Sequence, residues 1–291
     1  YSMKVAKFGG SSLADGAQFK KVKSIVESDK SIGVVVPSAP GKRHGKDHKV
    51  TDLLYMCHQL ASHGLNFDEV YAIIQERFTG ICSELETGIP IGEILSDIKT
   101  RIRDGASRDY CASRGEYING LILADYLGIP FVDAAELIRF DPMGQLDENK
   151  TRSLIAEKLG GIEKAVVPGF YGSNEDGSIR TFSRGGSDVT GAIIADGVNS
   201  ELYENWTDVS GFLMADPRVV KDPKPIKLVT YKELRELSYM GAPVLHEEAI
   251  FPVRRLGIPI NIRNTNKPED EGTLIVNDQW AERNEGSITG I

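Results

Sequence analysis

The residues best suited to chemistry near the start of the chain are Lys7, Gly9, Gly10, Ser11 and Ser12, in the run KFGGSS. A glycine pair lets backbone come within hydrogen-bonding distance of a ligand, and a helix starting just beyond it offers unpaired N–H groups to anionic oxygens. Lys7, at the end of the preceding strand, could bring its ammonium over the same spot. Such a set suits a phosphate group, although an ordinary strand–turn–helix corner with a solvated lysine has the same composition. The lysine precedes the glycines and no GxxxxGK[ST] sequence occurs, so this is not a P-loop. The pattern returns at 183–188, where Arg184 precedes Gly185, Gly186, Ser187 and Asp188. Arginine grips a carboxylate or phosphate with a bidentate fork. Two glycine-rich, serine-bearing turns, each behind a cation, are hard to explain as bare corners.

The elements that must position these residues alternate. Val5, Ala6 and Phe8 give a first strand, Phe19, Val22, Ile25 and Val26 recur at helical spacing, and residues 32–36 form a buried parallel strand. That strand empties into a long loop, 37–54, crowded with Lys42, Arg43, Lys46 and Lys49. It is expected to be mobile and electropositive, either a solvated surface loop or a cover for substrate. Thr51 is a plausible N-cap for the helix that follows. Residues 67–103 read as helical, with no evident chemistry. Ser113 to Glu116 are expected to open a helix that Gly128 ends, which would make Glu116 a first-turn carboxylate facing the helix dipole. Strands are expected at 130–133 and 165–170, a hairpin around the turn 174–177, and a strand at 202–206. The last of these leads into a loop carrying Thr207, Asp208, Gly211 and Asp216. Loops at the carboxyl ends of parallel strands are where open α/β sheets bind ligands. Helices at 231–240 and 244–256 and strands at 259–262 and 273–276 complete the pattern.

The chain has 291 residues, of which 41% are apolar, enough to bury a sizeable core. A net charge of −8 and a pI near 5.3 argue against a general nucleic-acid binder. Three cysteines without CxxC spacing suggest reduced thiols rather than a disulfide framework or zinc site. The sequence contains neither an apolar run of spanning length nor a signal-peptide pattern, so a cytoplasmic protein with no membrane partner is expected. Tyr1 and Ser2 ahead of Met3 look like an appended remnant.

Taken together and in order, KFGGSS (7–12), VTDLL (50–54), SRGE (113–116), RGGSD (184–188), TDVSG (207–211), ADPRVV (215–220), GAPVLHEEAIFPV (241–253) and NIRNT (261–265) resemble the catalytic domain of aspartokinases, in the amino-acid kinase family. The resemblance implies an α/β fold, a three-layer αβα sandwich on a mainly parallel sheet. It has two lobes, 3–182 for the amino acid and 183–278 for the nucleotide. It implies transfer of the γ-phosphoryl of ATP to the side-chain carboxylate of L-aspartate, the first step toward lysine, threonine and methionine. Lys7 and Asp188 become the catalytic pair. Thr51, Glu116, Arg184, Gly185, Gly186 and Ser187 become the aspartate pocket, with Arg184 on the α-carboxylate. Lys7, Gly9, Gly10, Ser11, Ser38, Thr207, Asp208, Leu213, Asp216, Arg218, Pro243 and Val244 become the ATP site, with Mg²⁺ on the phosphates and no residue assigned as a dedicated metal ligand. Two positions depart from the family pattern. Pro243 replaces a lysine frequent in GAKVLHP, and Ser210 stands where TDVDG or TDVPG is common. Residues 279–291 resemble the start of the junction into regulatory ACT domains. A chain of this length is therefore expected to be a monomer or weak dimer that escapes feedback inhibition by lysine or threonine.

Overall fold

The computed structural model describes residues 2–183, 185–213, 221, 224–239 (without the side chains of 237–239), 253 and 257–284. Its strands are β1 (Lys4–Phe8), β2 (Ile32–Pro37), β3 (Ala165–Val166), β4 (Tyr171–Ser173), β5 (Ile179–Thr181), β6 (Leu202–Thr207), β7 (Leu228–Thr230), β8 (Ile260–Asn264) and β9 (Thr273–Val276). Seven of them form one sheet in the order β3-β2-β1-β6-β8-β9-β7, and β4 with β5 make a separate hairpin. Every pairing in the large sheet is parallel except β8 with β9. The helices are α1 (Gly16–Ser28), α2 (Val50–Ser62), α3 (Asp68–Leu85), α4 (Ile91–Arg103), α5 (Arg108–Leu127), α6 (Glu148–Leu159), α7 (Gly186–Gly197), α8 (Tyr231–Tyr239) and α9 (Asp278–Arg283).

The layers follow from the two-residue period of a strand. Ala6 and Phe8 of β1 enter one apolar cluster with Phe19 of α1, Leu54 of α2, Phe78 of α3 and Ile122 of α5. Val5 enters a second cluster with Ile155 of α6 and Ile193 of α7. The sheet is thus sandwiched between α1–α5 and α6–α7, as expected. β1 lies between β2 and β6, so the chain leaves the first strand toward one side and reaches the other much later. A crevice at such a reversal, at the carboxyl ends of the strands, is the usual ligand position in this architecture.

Several local expectations change. α5 begins at Arg108 behind a Ser107 side-chain cap, with Asp109 as its first-turn acid. Glu116 therefore lies two turns in, where dipole compensation has faded. Lys49, not Thr51, precedes α2, and Thr51 is already helical. The helical stretch from 67 breaks into α3 and α4 where Glu86 turns left-handed, at φ 55°. The strand expected at 130–133 is only a bridge between Phe131 and Val166. That expected at 165–170 keeps just β3, and Phe170 at its far end takes φ 85°. The hairpin, the end of α5 at Gly128 and β9 fall where the sequence put them. The expected helix 244–256 lies almost wholly outside the described residues.

Candidate active site

Lys7, next to last in β1, is in register with Asn205 of β6, so the two side chains share a face. Lys7 is only 9% exposed, and its Nζ lies 2.7 Å from Asp188 Oδ1 in the first turn of α7. Asn205 Nδ2 donates to that same oxygen at 3.0 Å. Charge and amide together fix one carboxylate oxygen and leave an ammonium at the sheet's carboxyl edge.

The turn after β1 is built by close backbone approach. Gly9 N–H donates to the Trp206 carbonyl at 3.0 Å, and Ser38 N–H to the Phe8 carbonyl at 3.0 Å. Gly41 N–H donates to the Gly10 carbonyl at 2.9 Å. A Cβ on Gly41 would stand 2.6 Å from Gly10 C, and one on Gly10 3.1 Å from the Ala39 carbonyl oxygen, so side chains are excluded from this crossing. The short 3-10 turn Gly10–Leu13 is tied onward by a buried hydroxyl pair, Ser12 Oγ to Thr265 Oγ1 at 2.7 Å.

On the other side of residues 38–39 stands α5. Gly115 permits the approach, since a Cβ there would meet Ala39 Cβ at 2.8 Å, Val50 Cγ1 at 3.4 Å and Leu54 Cδ1 at 3.5 Å. Glu116 follows Gly115 into this packing, and Thr51 of α2, next to Val50, is half-buried. Glu116 is 5% exposed, and burial pushes its carboxyl up to about 8, against a stabilising contact from the Ala39 N–H. One turn on, Asn119 donates Nδ2 to the Ser38 carbonyl at 2.8 Å. Glu116 Oε2 and Asn119 Oδ1 are both buried without a hydrogen-bond partner among the described residues. Two unpaired buried acceptors suit a ligand rich in donors, such as an ammonium group.

Gly169 closes the ring. Its N–H donates to the Pro37 carbonyl at 3.0 Å, and a Cβ there would fall 2.3 Å from Ser187 Oγ. Phe170 holds its left-handed backbone by donating to Thr190 Oγ1 at 2.9 Å and accepting from Phe182 N–H at 3.0 Å. A bulky residue at positive φ costs ~1–3 kcal/mol and persists where its surroundings over-determine it. Gly185 (φ 76°) and Gly186 (φ 44°) are left-handed in their turn, the conformations glycine supplies.

Beyond β6, Thr207 Oγ1 donates to Asp208 Oδ1 at 3.3 Å, and Ser210 Oγ to Asp270 Oδ2 at 2.7 Å. Ser210, one of the two departures, thus anchors its loop. Leu213 bridges to Pro225 and is 42% exposed. Arg184, Asp216, Arg218, Pro243 and Val244 lie outside the described residues. Residues 42–49, expected as a mobile loop, are anchored through Asp47, which is paired with Arg43 and with Arg77 of α3. Sequence reasoning passed over Asn119, Asn205 and Arg77. Their only signals were an amide three residues after Glu116, an amide near a strand end, and an arginine in register with Ile74, Phe78 and Ile81.

Residues 2–264 match the Amino acid kinase family, and the chain belongs to that family. Within it, Aspartokinase 3 of Bacillus subtilis (strain 168) is 40% identical over 304 aligned residues, covering 99% of this chain and 66% of that protein. The crystal structure of Clostridium acetobutylicum aspartate kinase is 60% identical with a TM-score of 0.92, over 96% of this chain and 63% of that one. That of E. coli aspartokinase III in complex with aspartate and ADP is 28% identical with a TM-score of 0.81, over 94% and 64%. The chain therefore spans just under two thirds of the length of these relatives.

Proposed function

We propose that this chain is an aspartate kinase catalytic unit, transferring the γ-phosphoryl of ATP to the side-chain carboxylate of L-aspartate to give 4-phospho-L-aspartate and ADP. The observation that carries the reading is the half-buried Lys7–Asp188 pair beside the Gly9–Gly10 turn, in a chain so similar to an aspartate kinase of known structure. Phosphoryl transfer needs mainly positioning and stabilisation of charge on oxygens, and an aspartate carboxylate is already ionised at neutral pH, so no base is required. Lys7 stabilises the phosphoryl oxygens in flight, and Asp188 with Asn205 keeps its ammonium in place. Gly9, Gly10, Ser11 and Ser38 line the phosphates, while Thr207, Asp208, Leu213, Asp216, Arg218, Pro243 and Val244 serve the rest of the nucleotide. Glu116, assisted by Thr51, takes the substrate ammonium. Arg184 takes the α-carboxylate, with Gly185, Gly186 and Ser187 beside it.

Mg²⁺ is usually held by one or two carboxylates together with substrate phosphates and water. The described residues suit that mode through the Asp188 side chain, which is 24% exposed. When bound with nucleotide, the ion supplies neutralisation of the β and γ oxygens. Residues 3–182 form the amino-acid lobe and 183–278 the nucleotide lobe in this reading, within a cytoplasmic protein. No helix among the described residues is long and apolar enough to cross a membrane. The test is ADP release from ATP and Mg²⁺ with aspartate, glutamate, acetylglutamate, carbamate or UMP offered separately. Aspartate-dependent release is expected. Release that needs another acceptor would reassign the substrate, and none at all would make the chain a silent sensor.

A further inference from the structure

α3 places a basic side chain on its buried face. Arg77 is 6% exposed, among Ile74, Phe78 and Ile81. Its Nη1 donates to the carbonyl oxygens of Gly41 at 2.7 Å and Ala14 at 3.1 Å. Its Nη2 donates to Asp47 Oδ2 at 2.7 Å and to the His48 carbonyl at 2.9 Å. Asp47, whose side chain is 7% exposed, answers the buried charge and is itself gripped by Arg43 through Nε at 2.7 Å and Nη2 at 3.0 Å.

The four acceptors belong to two segments far apart in sequence. Ala14 follows the turn after β1, whereas Gly41, Asp47 and His48 belong to the loop after β2. Between them lies the crossing where Gly41 N–H meets the Gly10 carbonyl. Arg77 therefore holds the Gly41 carbonyl from behind while Gly41 holds Gly10 from above. A buried cation is a costly way to fill space that an aliphatic side chain could fill, and it is tolerated when its hydrogen bonds are met. Here they are met by loop carbonyls, so the charge fixes loops rather than core. Only a planar guanidinium presents donors in a rigid fork that can reach so many acceptors at once.

We propose that Arg77 is a positioning residue for phosphate binding, fixing the Gly41–Gly10 crossing so that the backbone of Gly10 and Ser11 is held in the geometry that receives phosphate oxygens. This rests on the kinase reading above, in which that turn receives the phosphates. Arg77 touches no substrate and acts through Gly41.

Titration calorimetry with ATP and with adenosine separates this role from general destabilisation, because adenosine lacks the phosphates. Arg77→Lys is expected to weaken ATP binding by about tenfold or more, since misplacing binding groups by an ångström is costly, and to leave adenosine affinity unchanged. Gly41→Ala is a second variant, which keeps the buried charge intact. Its Cβ would press on Gly10 C at 2.6 Å, and the same selective loss is expected. If the lysine variant fails to fold, as judged by its thermal melt, the alanine variant decides. Folded variants that bind ATP as the wild type does, or that lose ATP and adenosine alike, overturn the inference alone. Wild-type chain that binds no ATP overturns the kinase reading and this inference with it.

Discussion

Replacing Glu116 with glutamine should make the ligand-free protein more stable at alkaline pH while weakening its hold on aspartate. Burial raises the Glu116 carboxyl from its ordinary 4.5 to about 8. Because the folded value lies above the unfolded one, the stability tied to the bound proton is complete below about pH 4.5 and is lost as pH rises through about 8. At 1.36 kcal/mol per pH unit between the two values, the full loss is ~5 kcal/mol, an upper bound that relaxation around the charge reduces. Glutamine carries no such proton, so Glu116→Gln lacks the decline. Denaturant melts of both proteins from pH 4 to pH 9 should therefore diverge, with the variant gaining at least ~2 kcal/mol on the wild type across the range. Aspartate should reverse the order, because its ammonium adds a counter-charge to the weak one the ionised carboxyl has from Arg114. Added aspartate is expected to stabilise the wild type more at pH 9 than at pH 6, and the variant little at either. Losing a charged hydrogen bond should also raise KM for aspartate on the order of tenfold or more. Parallel stability profiles in the absence of ligand would refute the claim that Glu116 is held uncharged by burial.

Three further outcomes are expected. Lys7→Met should lower kcat by about a hundredfold or more, ~3 kcal/mol of transition-state stabilisation, in a protein that still folds, and near-normal kcat would remove Lys7 from the chemistry. Arg184→Ala should chiefly raise KM for aspartate and Arg184→Lys should recover little of it, whereas a change confined to KM for ATP would move Arg184 to the nucleotide. Asn205→Leu should leave KM for aspartate alone and reduce kcat roughly tenfold by loosening Asp188, which steady-state kinetics with an unaltered kcat would contradict.

The two glycine turns were legible in sequence because their function lies in local backbone, and glycine, serine and a flanking cation are a local code. The β1–α1 corner and the left-handed Gly185 and Gly186 sit where the residue types required. Glu116 was legible as a residue but not as an environment. Its helix starts five residues earlier than SRGE suggests, and only packing through Gly115 against Ala39 reveals the burial. Arg77 was hidden for a related reason: periodicity assigns a charged residue to the outer face, yet this one's acceptors come from residues 14, 41, 47 and 48. Composition was silent in the same way about one contact of residues 42–49. Four cations suggested a free loop, while the aspartate among them pairs with a helix thirty residues onward.

The position of β1 bears on how the protein can be made. β1 is synthesised before every other strand of its sheet yet lies in the interior, third of seven, and its partner on one side, β6, begins at Leu202. Met3 likewise waits for Glu201, whose N–H donates to the Met3 carbonyl. Until Leu202 and the residues of β6 have emerged, β1 and β2 present an open parallel edge, the kind of surface that pairs with the wrong strand. Contacts so distant in sequence close slowly. A fragment ending before β6 would carry the Gly9–Gly10 turn without Asn205 beneath it and with an unprotected edge, so expression of the amino-terminal half alone should give aggregates rather than an independent lobe.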